Sequence, residues 1–153
     1  EDYGSFWGHT DLGIAWYSKF LGRCKRDKIQ SVPCGAHWSG CLWINTLDHA
    51  RVGQLMRNKG QWNGTEILPK TWVAECITPC SLAPFYGYLW WLNDLQTSIL
   101  SRTPKSAFCS VGASTQIIYI DSENDLAIVA RWIEQNKVAE FLKTVLASIK
   151  KLC

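Results

Sequence analysis

What the sequence lacks sets its first bounds. No apolar run approaches the roughly 20 residues that a helix needs to cross a bilayer, which excludes a helical membrane span. No signal peptide is evident either, and a chain that opens on Glu1 rather than Met is expected to have lost something from its front. Strong charge of one sign is also missing. Sixteen Lys and Arg stand against 13 Asp and Glu, for a net charge of +3, too mild a surplus for a polyanion-binding protein, so no nucleic-acid partner is expected. The one local basic knot, Arg23-Cys24-Lys25-Arg26-Asp27-Lys28, contains an acid and no interleaved aromatics, as a solvated loop or hairpin tip does. With 153 residues, 47% of them hydrophobic, the chain has enough for one ordinary core and too little for two comfortable domains. A single globular unit over 1–153 is expected.

An even, regularly spaced cysteine set is absent as well. Seven cysteines in a chain of this length match no disulfide framework, so free thiols and a reducing, cytoplasmic compartment are favoured. Cys34, His37 and Cys41 invite a zinc reading, since thiolates and imidazole at that spacing can reach one tetrahedral ion. A fourth ligand is not evident, however, and Gly35, Ser39 and Gly40 give the segment the look of a tight loop. No metal and no other cofactor are expected, with that triplet as the alternative. Cys76 and Cys80 read as buried small hydrophobes at a helix end and its turn.

What is present centres on residues 108–132. Residues 116–120 are β-branched and aromatic, 126–132 almost continuously apolar, and the polar cluster Asp121-Ser122-Glu123-Asn124-Asp125 between them makes the pair a hairpin. The apolar arm has the composition of a strand buried on both faces. Upstream, the small side chains at 110–115 would let a substrate approach the main chain.

Around this hairpin, residues 1–22 are aromatic-rich without a clear period, 28–32 suit a short strand, and 34–41 a glycine-containing loop. A helix is predicted over 46–59, with Thr46 as N-cap, Asp48 in the first turn and Gly60 as the stop. Asn63-Gly64 predicts a turn, and also forms a glycosylation sequon that matters only in a secreted protein. A second helix is predicted to open at Pro69 and run to Ile77, a strand to cover 86–92, and a polar surface loop to cover 93–106. The closing helix, over 136–151, has the cleanest pattern: Val138, Phe141, Leu142, Val145, Leu146 and Ile149 share one face. The order predicts an α+β, or mixed α/β, architecture with a mainly antiparallel sheet and packed helices.

The run SVPCGAHWSGCLWINTLDHARVGQLMRNKGQWNGTEILPKTWV, then YGYLWWLN, then SVGAST with IIYIDSENDLAIVARW and the final helix, resembles the C-terminal part of the serine β-lactamase and penicillin-binding-protein-like family. It is most similar to the class C β-lactamase-like hydrolases and esterases, over at least residues 30–149. The resemblance implies an acyl-ester or amide hydrolase in which a Ser-x-x-Lys serine attacks, helped by its lysine and a Tyr-x-Asn tyrosine, with a Lys-Thr-Gly-like third motif lining the substrate site. By that match Ser110 stands for the cationic or hydrogen-bonding first residue, Val111 replaces the usual hydroxyl, Gly112 is kept, and the N–H of Ala113 is placed as an oxyanion donor. The same segment reads equally as a buried strand whose small residues serve close packing.

The first two motifs have no counterpart. Ser148 begins the chain's one Ser-x-x-Lys, in the last turn of the final helix rather than at the N-terminus of a buried one, and no Tyr-x-Asn occurs. Gly112-Ala113-Ser114-Thr115-Gln116 misses the Gly-x-Ser-x-Gly elbow by its last residue. His37, His49 and Asp48 form no triad with any serine by spacing, and His9 reads as structural or exposed. Three readings follow. One is the C-terminal portion of a β-lactamase-related serine hydrolase, inactive alone, that takes a small acyl substrate and relies on an N-terminal portion of the same fold or a second chain. Another is a noncatalytic scaffold or binding module of that fold. The third is a zinc-stabilised or tryptophan-rich ligand-binding domain, raised by nine tryptophans, many of which sit within apolar runs and look like core.

Overall fold

The computed structural model describes residues 6–8, 29–33, 40–42, 45–93, 99–112 and 114–149. The chain divides into two compact units, Glu1–Asp48 and His49–Cys153. In the first, β1 (Phe6–Gly8), β2 (Ile29–Pro33) and β3 (Gly40–Leu42) form an antiparallel sheet in that order. β2 answers to the strand expected near 28–32. β1 lies in a stretch with no legible period, because three residues are too few to display alternation. Gly40 and Cys41 join a strand instead of the expected loop, since pairing with Pro33 and Val32 holds them extended. His9, the basic knot, Cys34 and His37 lie outside the described residues.

α1 (Thr46–Arg57) follows. Its cap is Asn45 rather than Thr46. The Asp48 N–H donates to Asn45 Oδ1 at 2.8 Å, and Asn45 Nδ2 donates to Asp48 Oδ2 at 2.9 Å, a reciprocal arrangement that satisfies an orphan donor of the first turn. The helix stops two residues earlier than the pattern predicts. Gly60 N–H donates to Leu55 O and Lys59 N–H to Met56 O, the two bonds of a Schellman motif, with Lys59 in the left-handed region at φ 53°. Asn63 and Gly64, at φ 46° and 75°, then form the tight turn between β4 (Gln61–Trp62) and β5 (Thr65–Glu66).

α2 (Lys70–Cys76) is capped by Pro69, whose ψ of 134° keeps it outside the helix, so the helix begins one residue later than predicted. The main sheet runs β6 (Trp91–Leu92), β7 (Phe108–Gly112), β8 (Gln116–Asp121), β9 (Leu126–Ala130), antiparallel throughout. Alternation assigns its faces. Phe108, Ile118 and Ile120 pack with Met56 of α1 and Val73 and Cys76 of α2. Cys109, Ile117 and Tyr119 pack with Val138 and Leu142 of α3 (Val138–Ile149). Helices therefore pack on both faces of one antiparallel sheet, in a fold of the α+β class. Burial of Leu142, Val138 and Ile120 contributes about 1.5–3 kcal/mol each.

The remaining departures have local causes. A 3₁₀ turn, Gln135–Lys137, precedes α3 and takes the first positions expected of the helix. β9 ends at Ala130 and is half-buried along its length instead of buried on both faces, because among the described residues it is the sheet's edge. Residues 86–92 form no single strand. Tyr86 bridges to Trp91, Gly87 N–H donates to Trp90 O and Leu92 N–H to Phe85 O, which folds the run into a hairpin with Tyr88 and Leu89 at its tip. The stretch from 93 is not all surface loop either. Asn93 is buried and donates from Nδ2 to Thr103 O, Thr103 Oγ1 and Pro104 O, and Leu100 is fully buried. Cys76 is buried as expected, whereas Cys80 is exposed on the turn that bridges to Ala83.

Candidate functional site at the open edge of β7

Backbone direction in an antiparallel strand alternates residue by residue. The Asn93 N–H donates to Ala107 O at 3.2 Å, while the Ala107 N–H donates to Pro104 O, so Cys109 and Val111 turn their N–H and C=O groups toward β6, and Phe108, Ser110 and Gly112 turn theirs toward β8. β6 is only two residues long and reaches Cys109 and Phe108. The position that would face Val111 is Leu89, in the hairpin tip, where the chain has left the sheet. Among the described residues no strand takes up Val111's backbone groups on that side, and the edge of β7 is open there.

Beyond Val111 the strand ends in Gly112, paired with Gln116 across a three-residue connection. Ser114 and Thr115 both have φ of 56°. This is costly for non-glycine residues and most unusual for a β-branched one. Ala113, the residue placed as an oxyanion donor, lies outside the described residues. Ser110 and Val111 are half-buried and Gly112 is exposed. The Val111 side chain packs on the α3 side of the sheet, so what it offers to the open edge is main chain.

A polar group closes the same end of the sheet. One residue past the last β8–β9 pair, Ile117 with Ala130, the Arg131 Nε donates to Gln116 Oε1 at 2.7 Å. His49 of α1 lies near enough for the Arg131 charge to act on it. Burial first, and then that charge, hold its imidazole below the usual histidine range, so His49 is neutral at pH 7. Among the described residues its buried Nδ1 has no hydrogen-bond partner. Trp132, one position further and opposite Thr115 by register, has φ of 61° and is 74% exposed.

The other candidates fall away. Ser148 donates its hydroxyl to Thr144 O at 2.9 Å on an exposed turn of α3. Asp48 is engaged in the α1 cap. Cys109 is fully buried, and burial pushes its thiol up to about 12, which leaves it inert. The Tyr119 hydroxyl donates to Asp121 Oδ2 at 2.9 Å and is pushed well above the phenol range, mainly by burial. Cys41 lies in β3, and no group of three metal-ligating side chains occurs among the described residues. The Gln116–Arg131 pair and the exposed Leu89 and Trp132 escaped sequence reasoning. The pair was reachable by running the β8–β9 register one residue past the predicted strand.

The open strand edge therefore offers one main-chain donor and one acceptor beside a strained hairpin tip. No family model matches the chain, and no curated protein matches it. Among solved structures it is similar to a putative 6-aminohexanoate-dimer hydrolase from Bacillus anthracis, with a TM-score of 0.51 and 22% identity, over 84% of this chain and 34% of that one. The chain thus spans about a third of that protein's length. A likeness at this identity carries the fold alone, an α+β arrangement of helices and antiparallel sheet.

Proposed function

We propose that this chain forms one wall of the acyl-transfer site of a β-lactamase-related serine hydrolase, and that a small ester or amide lies against β7. The observation that carries the reading is the backbone of Val111, which no strand among the described residues takes up on the β6 side, within the segment that the resemblance aligns with the family's third motif. In this reading the N–H of Ala113 donates to the tetrahedral oxyanion, Gly112 keeps the approach clear, and Ser110 stands in for the cation. Val111 brings no hydroxyl, so recognition rests on main chain.

The nucleophile and its bases come from an N-terminal portion of the same fold or from a second chain, because the one Ser-x-x-Lys here sits at the wrong end of α3 and Tyr-x-Asn does not occur. Residues 1–153 then make up a partial domain, and the chain alone turns nothing over. Without an activated nucleophile, a backbone donor gives water little assistance. The side chains at Ser110 and Val111 favour one alternative, a noncatalytic scaffold or binding module that keeps the cleft without the chemistry.

The test is a titration of the ¹⁵N-labelled chain with methylphosphonate, a tetrahedral anion like the acyl-transfer intermediate, beside an assay with a short-chain nitrophenyl ester and a chromogenic β-lactam. Amide shifts confined to residues 111–115 with no turnover are expected. Shifts that avoid this segment would remove the proposal. So would enzymatic turnover that survives replacement of every serine except Ser148.

A further inference from the structure

Leu89 is out of place on two counts. Its φ of 64° puts it in the left-handed region, where Asn or Gly would avoid a cost of roughly 1–2 kcal/mol, and its side chain is 73% exposed. A polar or glycine residue would suit both the backbone and the solvent at this tip.

The tip is held firmly. Tyr88 N–H donates to Cys76 O at 2.9 Å, Gly87 N–H to Trp90 O at 2.9 Å, and Cys80 N–H to Tyr86 O at 2.9 Å. Gly87 passes so close to α2 that an added Cβ would lie 2.2 Å from Cys76 O, so the position admits no side chain. On α2, Trp72 packs its ring 5.7 Å from that of Tyr88, and the two are 46% and 52% exposed. Trp72, Tyr88 and Leu89 are thus exposed, uncharged side chains on or beside a hydrogen-bonded tip, at the point where β6 stops and no described strand takes up the backbone of Val111.

We propose that Leu89, with Tyr88 and Trp72 behind it, is the specificity-determining wall of this edge and selects ligands that carry an uncharged alkyl or aryl group next to the part bound at Val111. This rests on the reading of β7 as the acyl-binding strand. Charged groups are disfavoured there, because the wall has no partner to offer in exchange for their hydration. The rigidity of the tip favours selectivity, since little side-chain or loop ordering is left to oppose binding.

The experiment compares hexylphosphonate with methylphosphonate as probes of the labelled 153-residue chain, by amide, indole and methyl signals. Hexylphosphonate is expected to bind at least about tenfold more tightly and to move the Trp72 indole and Leu89 methyl signals together with the Val111 amide. Leu89→Asn, which suits the left-handed backbone and should fold at least as stably, is expected to bring the affinity ratio to within about twofold. If both probes shift Val111 with equal affinity, or if Leu89→Asn keeps the tenfold ratio, the wall is refuted while the acyl-site reading stands. If neither probe shifts Val111, both fall. If hexylphosphonate moves Trp72 and Leu89 but leaves Val111 unmoved, the surface serves something other than this edge, and both fall again.

Discussion

Replacing Asp121 by Ala should cost more stability than any other single change in the β8–β9 turn. Its carboxylate is fully buried and accepts four hydrogen bonds, from Glu123 N–H at 3.0 Å, Asn124 N–H at 3.1 Å, Asn124 Nδ2 at 2.7 Å and the Tyr119 hydroxyl at 2.9 Å. Bonds to a charged group are worth about 1.5–3 kcal/mol each when considered singly, but water can replace the acceptor for donors near the surface. The Tyr119 hydroxyl is different, because its ring is fully buried and loss of Asp121 leaves the nearby Thr103 hydroxyl as its fallback. Together these effects amount to about 3–4 kcal/mol, a large share of the ~5–15 kcal/mol that a domain has in total. Urea unfolding followed by tryptophan fluorescence would measure the loss. In a Tyr119→Phe background there is no orphan hydroxyl, so the same substitution should cost about 1 kcal/mol less. A loss below about 1 kcal/mol, or an equal loss in both backgrounds, would show that the turn is held by its backbone and not by this carboxylate.

Further outcomes follow from the geometry. His49 is held below the usual histidine range, so its contribution to stability is present above that range and lost as pH falls through the depressed value. Melting temperatures at pH 7 and pH 5 should therefore differ less in His49→Gln than in the parent, and an unchanged difference would remove His49 as the cause. The Cys109 thiol is raised from 9.0 to about 12, so its share of stability is intact below pH 9 and declines as pH climbs toward 12. In the native chain iodoacetamide should modify the exposed Cys80 and spare Cys76 and Cys109, which peptide mapping would check. Lys59→Gly places glycine at the left-handed position of the α1 stop and should stabilise by roughly 0.5–1 kcal/mol, and a loss on thermal unfolding would contradict the Schellman assignment.

How much was legible follows from where the information sits. The β8–β9 hairpin, the amphipathic face of α3 and the Asn63-Gly64 turn were readable because each is encoded within a few neighbouring residues. The cap of α1 was displaced by one position because Asn45 and Thr46 are both competent, and only the observed bond from Asp48 N–H to Asn45 Oδ1 decides between them. The run at 86–92 misled because its composition is that of a strand, whereas its course is fixed at a distance by Cys76, whose carbonyl draws in Tyr88 N–H and leaves room for no side chain at Gly87. Asn93 reads as surface loop on polarity alone, whereas the two N–H groups of its Nδ2 share Thr103 O, Thr103 Oγ1 and Pro104 O as acceptors in a buried position.

The candidate site was less legible than the fold, and for one reason. Its parts are a strand edge and several residues whose local preference conflicts with their surroundings. That β7 would be small-featured near Ser110 and Gly112 could be read from the sequence. That β6 would stop after two residues and leave Val111 facing outward could not, because it depends on the turn taken at Leu89. Leu89, Ser114, Thr115 and Trp132 all carry positive φ in side chains that local propensity would keep out of it, and they gather at the end of the sheet where β7 turns into β8. A sequence in which every local choice agreed with the fold would place Gly or Asn at such positions. Four such departures lie near this end of the sheet, and Leu89→Asn is the substitution in which the preference of the backbone and the proposed wall come apart.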